Sequence, residues 1–368
     1  MNHCTRTIEL LEGRIAPATI FGITDTNQLV SFHSDTPGTI DSTVAITGTT
    51  GADAIVGMDF RPSDGLLYGL GFNFASVGTE GQLYTVDTES GIVTKVGSRF
   101  PMPNAIGSTL TAATAFGIDF DPVSDQIRVI SQGRDNFRLN PDKGTVAGAD
   151  TILTPAGSMI VGAAYTDNFV GTTKSTLFGI DFNANTLVRQ GSVDNAASAN
   201  GGALTTIGML GFDVTSNAGF DIKRLPDGTQ TVLATLTVAG DATDLYSINL
   251  GTGAATKLGD IGPVQMTLRG MAIAPESDLA IATNGKSATF TDAEGDRVTV
   301  KVTAGTLTTG NFSFATLATG AQLGVLHLDG DQAFAKTNLT FTAARKAGKG
   351  DGAVNVGRID ASGIDLGK

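Results

Sequence analysis

The chain has 368 residues, of which 41% are hydrophobic, only 16% are charged and 48 are glycine. Its 36 acidic and 24 basic residues give a net charge of −12, the wrong sign for a protein that holds nucleic acid through phosphate contacts. No run approaches the ~18 apolar residues of a membrane-spanning helix, and low charge with abundant Gly, Thr and Ala predicts short strands joined by tight turns, an all-β chain.

Residues 1–19 read as a leader-like tail. They lack the apolar core of about 7–15 residues that an ordinary secretory signal carries. The single cysteine, Cys4, excludes an internal disulfide, and a chain otherwise free of cysteine suits oxidising surroundings. The stretch 10–18 (LLEGRIAPA) resembles a short element near the start of many large bacterial surface proteins.

Two elements then alternate along the chain. One is a hairpin: an alternating strand, an Asp or Asn, a Gly-bearing turn and a second strand. The other is a strand with Gly at its third position. In order they are the hairpin at 29–37 (LVSFHSDTP), the Gly-strand 55–62 (IVGMDFRP), the hairpin 83–97 (LYTVDTESGIVTKVG) and the Gly-strand 115–122 (AFGIDFDP). There follow the hairpin 136–144 (NFRLNPDKG), the Gly-strand 160–167 (IVGAAYTD) and the hairpin 177–191 (LFGIDFNANTLVRQG), where Asn185 takes the turn glycine's place. The Gly-strand 209–216 (MLGFDVTS), the hairpin 245–259 (LYSINLGTGAATKLG) and the Gly-strand 268–275 (LRGMAIAP) complete the set.

Five copies of each element, starting with a hairpin and ending with a Gly-strand, predict a five-bladed β-propeller over 20–275. The C-terminal strand near Leu268 would complete the N-terminal blade, closing the ring and hiding its edges. The repeated glycine lets innermost strands approach closely at the axis. A degenerate sixth copy would fall at 100–113 or 212–237.

The succession GMDFRP, LYTVD, FGIDFDP, RVIS, NFRLNPDKGTV, AAYTDN, LFGID and LRGMAIAP resembles a bacterial family known only as a domain of unknown function. The resemblance covers about 20–275, most specifically 117–146, and implies a propeller-like fold in an exported or surface-associated protein without an assigned activity. The chain departs from the family at 131–135 (SQGRD), where an acidic-Gly turn is usual.

Residues 276–286 read as a linker and 287–368 as a small β module. Its end, 351–368 (DGAVNVGRIDASGIDLGK), resembles an element of β-solenoid surface proteins and predicts a truncated solenoid.

The three histidines, His3, His33 and His327, are isolated in sequence, with no pair at zinc spacing and no base beside a nucleophile. No phosphate-binding glycine loop is present. Asp59, Asp119 and Asp213 share one position, two residues beyond the Gly of their strands, and so the same strand face. If that face turns to the axis, three carboxylates converge, as a calcium ion would need; alternatively each accepts hydrogen bonds from a neighbouring blade. Arg128, Asn136 and Arg138 form a second candidate cluster, for acidic sugars, with an ion pair to Asp119 or Asp121 as its structural counterpart. The run 291–296 (TDAEGD) has spaced acids around a glycine but lacks the distal Glu of an EF-hand loop. Two functions fit. The first is a non-catalytic binding or structural protein at the cell surface, with glycans or other surface proteins as partners and no cofactor. The second is a calcium-dependent propeller enzyme of the lactonase or glycan-lyase kind.

Overall fold

The computed structural model describes residues 17–74, 80–103, 114–238, 240–263, 266–345 and 350–366. His3, Cys4 and most of the surface-protein element at 10–18 lie outside them. The chain is all-β, as expected, and is built mainly from four-stranded antiparallel sheets.

Three strands, β1 (Thr19–Thr24), β2 (Gln28–His33) and β3 (Ile40–Ala45), are followed by four sets of four. These are β4 (Ala54–Phe60) to β7 (Val93–Pro101), with β5 (Leu67–Phe72) and β6 (Glu80–Val86) between, then β8 (Phe116–Asp121), β9 (Gln126–Ser131), β10 (Asn136–Asn140) and β11 (Thr145–Ala149). Next come β12 (Ile160–Tyr165), β13 (Leu177–Asp181), β14 (Thr186–Gln190) and β15 (Leu204–Met209), then β16 (Val214–Arg224), β17 (Gln230–Val238), β18 (Thr243–Ile248) and β19 (Ala255–Asp260). Each set is one sheet in sequence order, and β20 (Leu268–Ile273) joins the first three strands in the order β20-β1-β2-β3. Ile20 pairs with Ile273 and Phe21 with Ala272 in that sheet.

The repeated Asp and Asn make the turns. Asp87 Oδ1 accepts from the Glu89 and Ser90 N–H groups, Asn140 Oδ1 from Asp142 and Lys143, and Asn249 Oδ1 from Gly251 and Thr252. The next turn position needs a left-handed backbone, which Gly91, Gly144, Gly253 and Asn185 supply. One copy is out of step. The hairpin 177–191 forms the second and third strands of its sheet, whereas 83–97, 136–144 and 245–259 form the third and fourth.

The first strands of the sheets, β4, β8, β12, β16 and β20, pack side by side, with β20 also against β4. Their glycines make this approach possible. A Cβ on Gly57 would lie 2.6 Å from Ile118, one on Gly117 2.8 Å from the Ala163 nitrogen, and one on Gly162 2.8 Å from Phe220. Gly219 abuts Met271, and Gly270 abuts Gly57. The innermost strand of the fourth full set therefore carries Gly219, not the expected Gly211, beside whose Cα a side chain would meet nothing. The stretch 212–237 belongs to this sheet, and 104–113 lies outside the described residues. Between sheets, alternate strand residues interdigitate: Phe72, Phe116, Phe120 and Phe137 share one buried cluster, and Val161, Phe220, Leu236 and Tyr246 another.

Beyond β20 the expected linker already contains a strand, β21 (Ala280–Ile281), which pairs with β22 (Ser287–Thr291). With β23 (Arg297–Val302) and β26 (Leu339–Ala344) these form one sheet; β24 (Phe312–Leu317), β25 (Gly320–His327) and β27 (Arg358–Asp360) form another. Phe290, Val300, Phe314, Leu323 and Phe334 are the core they share. The C-terminal element contributes β27, laid parallel on β25. This module rests on the loops after β4 and β12 and on the β6–β7 turn. Thr316 N–H donates to the Pro62 carbonyl at 2.8 Å, Val170 N–H donates to the Thr316 carbonyl at 2.8 Å, and Gly310 N–H donates to Glu89 at 2.6 Å.

Candidate functional site

Asp59 on β4 and Asp119 on β8 meet, as their shared position predicts, but their third partner is Asp221 on β16. One carboxylate oxygen from each lies within 4.8 Å of the others, and all three side chains are buried. Asp213 stands apart, exposed in the loop before β16, where it accepts from Asn185 Nδ2 at 2.8 Å. The sequence offers Gly-x-Asp twice, at 211–213 and 219–221. Only the second lies on the innermost strand. The immediate flanks do not separate them: 210–214 (LGFDV) and 218–222 (AGFDI) both set an apolar residue on each side of the triplet, as 56–60 (VGMDF) and 116–120 (FGIDF) do.

Each carboxylate reaches the innermost strand of a neighbouring sheet. Asp59 Oδ2 accepts from the Phe120 N–H at 2.8 Å, Asp119 Oδ2 from Tyr165 at 2.8 Å and Asp221 Oδ2 from Ile273 at 2.6 Å. Asp59 Oδ1 also accepts from Phe60 at 2.7 Å. The Oδ1 atoms of Asp119 and Asp221 are buried without a partner among the described residues. Burial, then the charge of Asp221, raises the Asp59 carboxyl well above its usual range; burial, then Asp59 and Asp221, does the same to Asp119. Burial pushes Asp221 up to about 6. The trio can hold protons at neutral pH, or a hard cation in their place. It is not a ligand chamber: the void between the strands beside it, lined by Gly57, Gly117, Gly162, Gly219 and Gly270, measures about 10 Å³, room for about one water.

Arg128 and Arg138 face each other across β9 and β10. Like charges at such a distance need an anion between them, and Asp150 supplies it, at 2.6 Å from Arg128 Nη1 and 2.8 Å from Arg138 Nε. Arg128 is 1% exposed. It donates to Asn136 Oδ1 at 2.8 Å, Asn200 Oδ1 at 2.5 Å and Tyr165 Oη at 3.3 Å. Asn136 Nδ2 donates to the Thr151 carbonyl at 2.9 Å. The ion partner is therefore Asp150 and not Asp119 or Asp121, and the cluster bonds neighbouring sheets together.

The open site lies elsewhere. A cleft of about 1150 Å³ separates the loops around β4–β7 from the C-terminal module; Arg61, Tyr68, Glu89, Asp142, His327 and Arg358 are among its walls. Arg61 is held by Asp125 at 2.5 Å, Asp142 at 2.8 Å and Asp64 at 3.2 Å. His327 Nε2 is 3.1 Å from Ser313 Oγ, and burial lowers the pKa of its imidazole. Asp329 stands 3.9 Å from Nδ1, too far for the hydrogen bond that orients a catalytic histidine. His33 lies at the end of β2, 3.6 Å from Asp41.

Residues 28–272 match the model of a family described as a domain of unknown function, DUF4394. The chain belongs to that family. The DUF4394 segment runs from β2 into β20 and holds Asp59, Asp119, Asp221 and the Arg128 network, while Ser313 and His327 lie beyond it. No curated protein matches the chain. Among solved structures, one titled as a nidogen–laminin complex is similar at 12% identity and a TM-score of 0.40, covering 70% of this chain and 98% of that one. A GH43 glycoside hydrolase engineered for endo-xylanase and exo-arabinofuranosidase activity aligns at 14% identity and a TM-score of 0.37, over 76% of this chain and 60% of the hydrolase. A protein of unknown function from Bacteroides thetaiotaomicron aligns at 11% identity and a TM-score of 0.39, over 75% and 67%.

Proposed function

We propose that the five four-stranded sheets formed by β1–β20 are the blades of a closed five-bladed β-propeller. On this reading the chain is a non-catalytic binding or structural protein of the bacterial cell surface or extracellular matrix. Closure is supported by the pairing of β20 with β1 and by the contact of Gly270 with Gly57. The observation that carries binding over catalysis is the engagement of the reactive candidates. Arg128, Asn136 and Arg138 are bonded internally, and the axial carboxylates adjoin a void of about 10 Å³. His327 lacks an aligned carboxylate.

The ligand site is the cleft. Its hydroxyls and carboxylates, including Thr88, Ser277 and Asp329, suit a neutral, hydroxyl-rich glycan, whose hydroxyls donate to carboxylates, while its acidic walls repel anions. A glycan array with the full chain tests this: binding should fall when His327→Ala or Asp142→Ala narrows the polar set, and retention of binding by both variants refutes the site.

The axial trio favours a second reading, a calcium-dependent enzyme, with Asp59, Asp119 and Asp221 holding the ion. Turnover of a lactone or glycan panel that disappears with chelator and in Asp119→Asn would establish it.

A further inference from the structure

The sequence 292–296 (DAEGD) is the turn between β22 and β23. Asp292 Oδ1 organises it, accepting from the Glu294 N–H at 3.1 Å and the Asp296 N–H at 2.9 Å, and Gly295 supplies the left-handed bend. Asp296 is thereby turned inward and is 0% exposed. The segment that follows β26 returns across it. Gly352 N–H donates to Asp296 Oδ2 at 2.6 Å, and Gly350 sits so close over Asp296 Oδ1 that no Cβ would fit. Although covered in this way, Oδ1 has no hydrogen-bond partner among the described residues.

Beside the Asp296 carboxylate stand two more. Glu294, Asp296 and Asp351 each offer an oxygen within 4.8 Å of the others, and Glu294 and Asp351 are exposed. Among the described residues no cation pairs with any of the three. The charge of Asp351 is the largest influence holding the Glu294 carboxyl above its ordinary range. A chain that buries a carboxylate with one oxygen unpaired among the described residues, and brings two like charges to that carboxylate from points about sixty residues apart, is arranged for a positive charge.

We infer that Glu294, Asp296 and Asp351 bind a calcium ion that ties the C-terminal segment to the β22–β23 turn. The donors are all oxygen, which excludes the soft-ligand metals. Two exposed carboxylates leave one side open for water, so that the six to eight oxygens typical of Ca²⁺ can be reached without the rigid octahedron Mg²⁺ demands. The ion's effect is mechanical. Residues 350–366 carry Val354, Val356, Ile364 and Leu366 onto the module core, and β27 onto β25. Neutralising the trio anchors the start of that segment. The site is independent of the axial trio and of the function proposed above.

The test uses the full chain stripped with chelator. Titration with CaCl₂ followed by calorimetry should show a site with Kd on the order of 10⁻⁵–10⁻³ M, and hydrogen exchange within 350–366 should slow on addition of calcium. Asp351→Asn, an exposed change, should weaken this site at least ~10-fold by removing a charged ligand and abolish the exchange effect, while Asp35→Asn, an exposed carboxylate outside both trios, leaves both intact. Glu294→Gln serves as a second exposed variant. Calcium binding and exchange that are identical in wild type, Asp351→Asn and Glu294→Gln overturn the assignment, as does the absence of any calcium effect on 350–366. Slowed exchange with magnesium but not calcium overturns the choice of ion.

Discussion

Asp221→Asn probes the electrostatics of the Asp59, Asp119 and Asp221 cluster most directly. Burial raises the Asp221 carboxyl from 3.8 to about 6, roughly two units at about 1.4 kcal/mol each, so its ionisation at pH 8 destabilises the fold by about 3 kcal/mol. The sign follows from the direction of the shift. With the folded pKa above the unfolded one, the stabilisation is complete below about pH 4 and is lost as pH rises through about 6. Asparagine keeps an oxygen for the Ile273 N–H and brings an amide that can donate toward the unpartnered Asp119 Oδ1. In the presence of chelator, urea unfolding should show the variant more stable than wild type at pH 8, by up to about 3 kcal/mol, with the advantage vanishing near pH 4. Saturating calcium at the axis would reverse the order, because the variant has one charge fewer to offer. A wild-type stability that is flat from pH 4 to 8, or a variant less stable than wild type at pH 8 in chelator, would refute the reasoning.

The glycine register is tested by Gly219→Ala, where a Cβ would meet Met271, 2.6 Å from its Cγ; a loss of about 3 kcal/mol or more in thermal or urea unfolding is expected, against a near-neutral Gly201→Ala, whose Cβ meets nothing. Arg128→Met should destabilise the protein by about 3–5 kcal/mol, because Asn136 and Asn200 lose their buried donor; a stable variant that has lost only ligand binding would mark the cluster as a binding site. Glu89→Ala removes the acceptor for Thr308, Thr309 and Gly310 and should speed proteolytic cleavage around 303–311, with urea unfolding of the remaining sheets changed by less than about 1 kcal/mol.

Local chemistry carried much of this fold into the sequence. Strand alternation, the Asx turns at Asp87, Asn140 and Asn249, and the left-handed positions at Gly91, Gly144, Gly253 and Asn185 act within a few residues, so they recur as text. The expectation that Leu268 returns to the strand near Ile20 came from counting such units, and β20 does pair with β1. Which of two Gly-Phe-Asp triplets joins Asp59 and Asp119 was a tertiary decision. Gly219 is needed because β20 passes against it, whereas Gly211 faces open space. Asp150 between two arginines and Asp351 beside Asp296 were likewise settled by the packing of distant segments. Charge and hydrogen-bond complementarity act through space, and spacing along the chain does not encode which strands the sheets bring together.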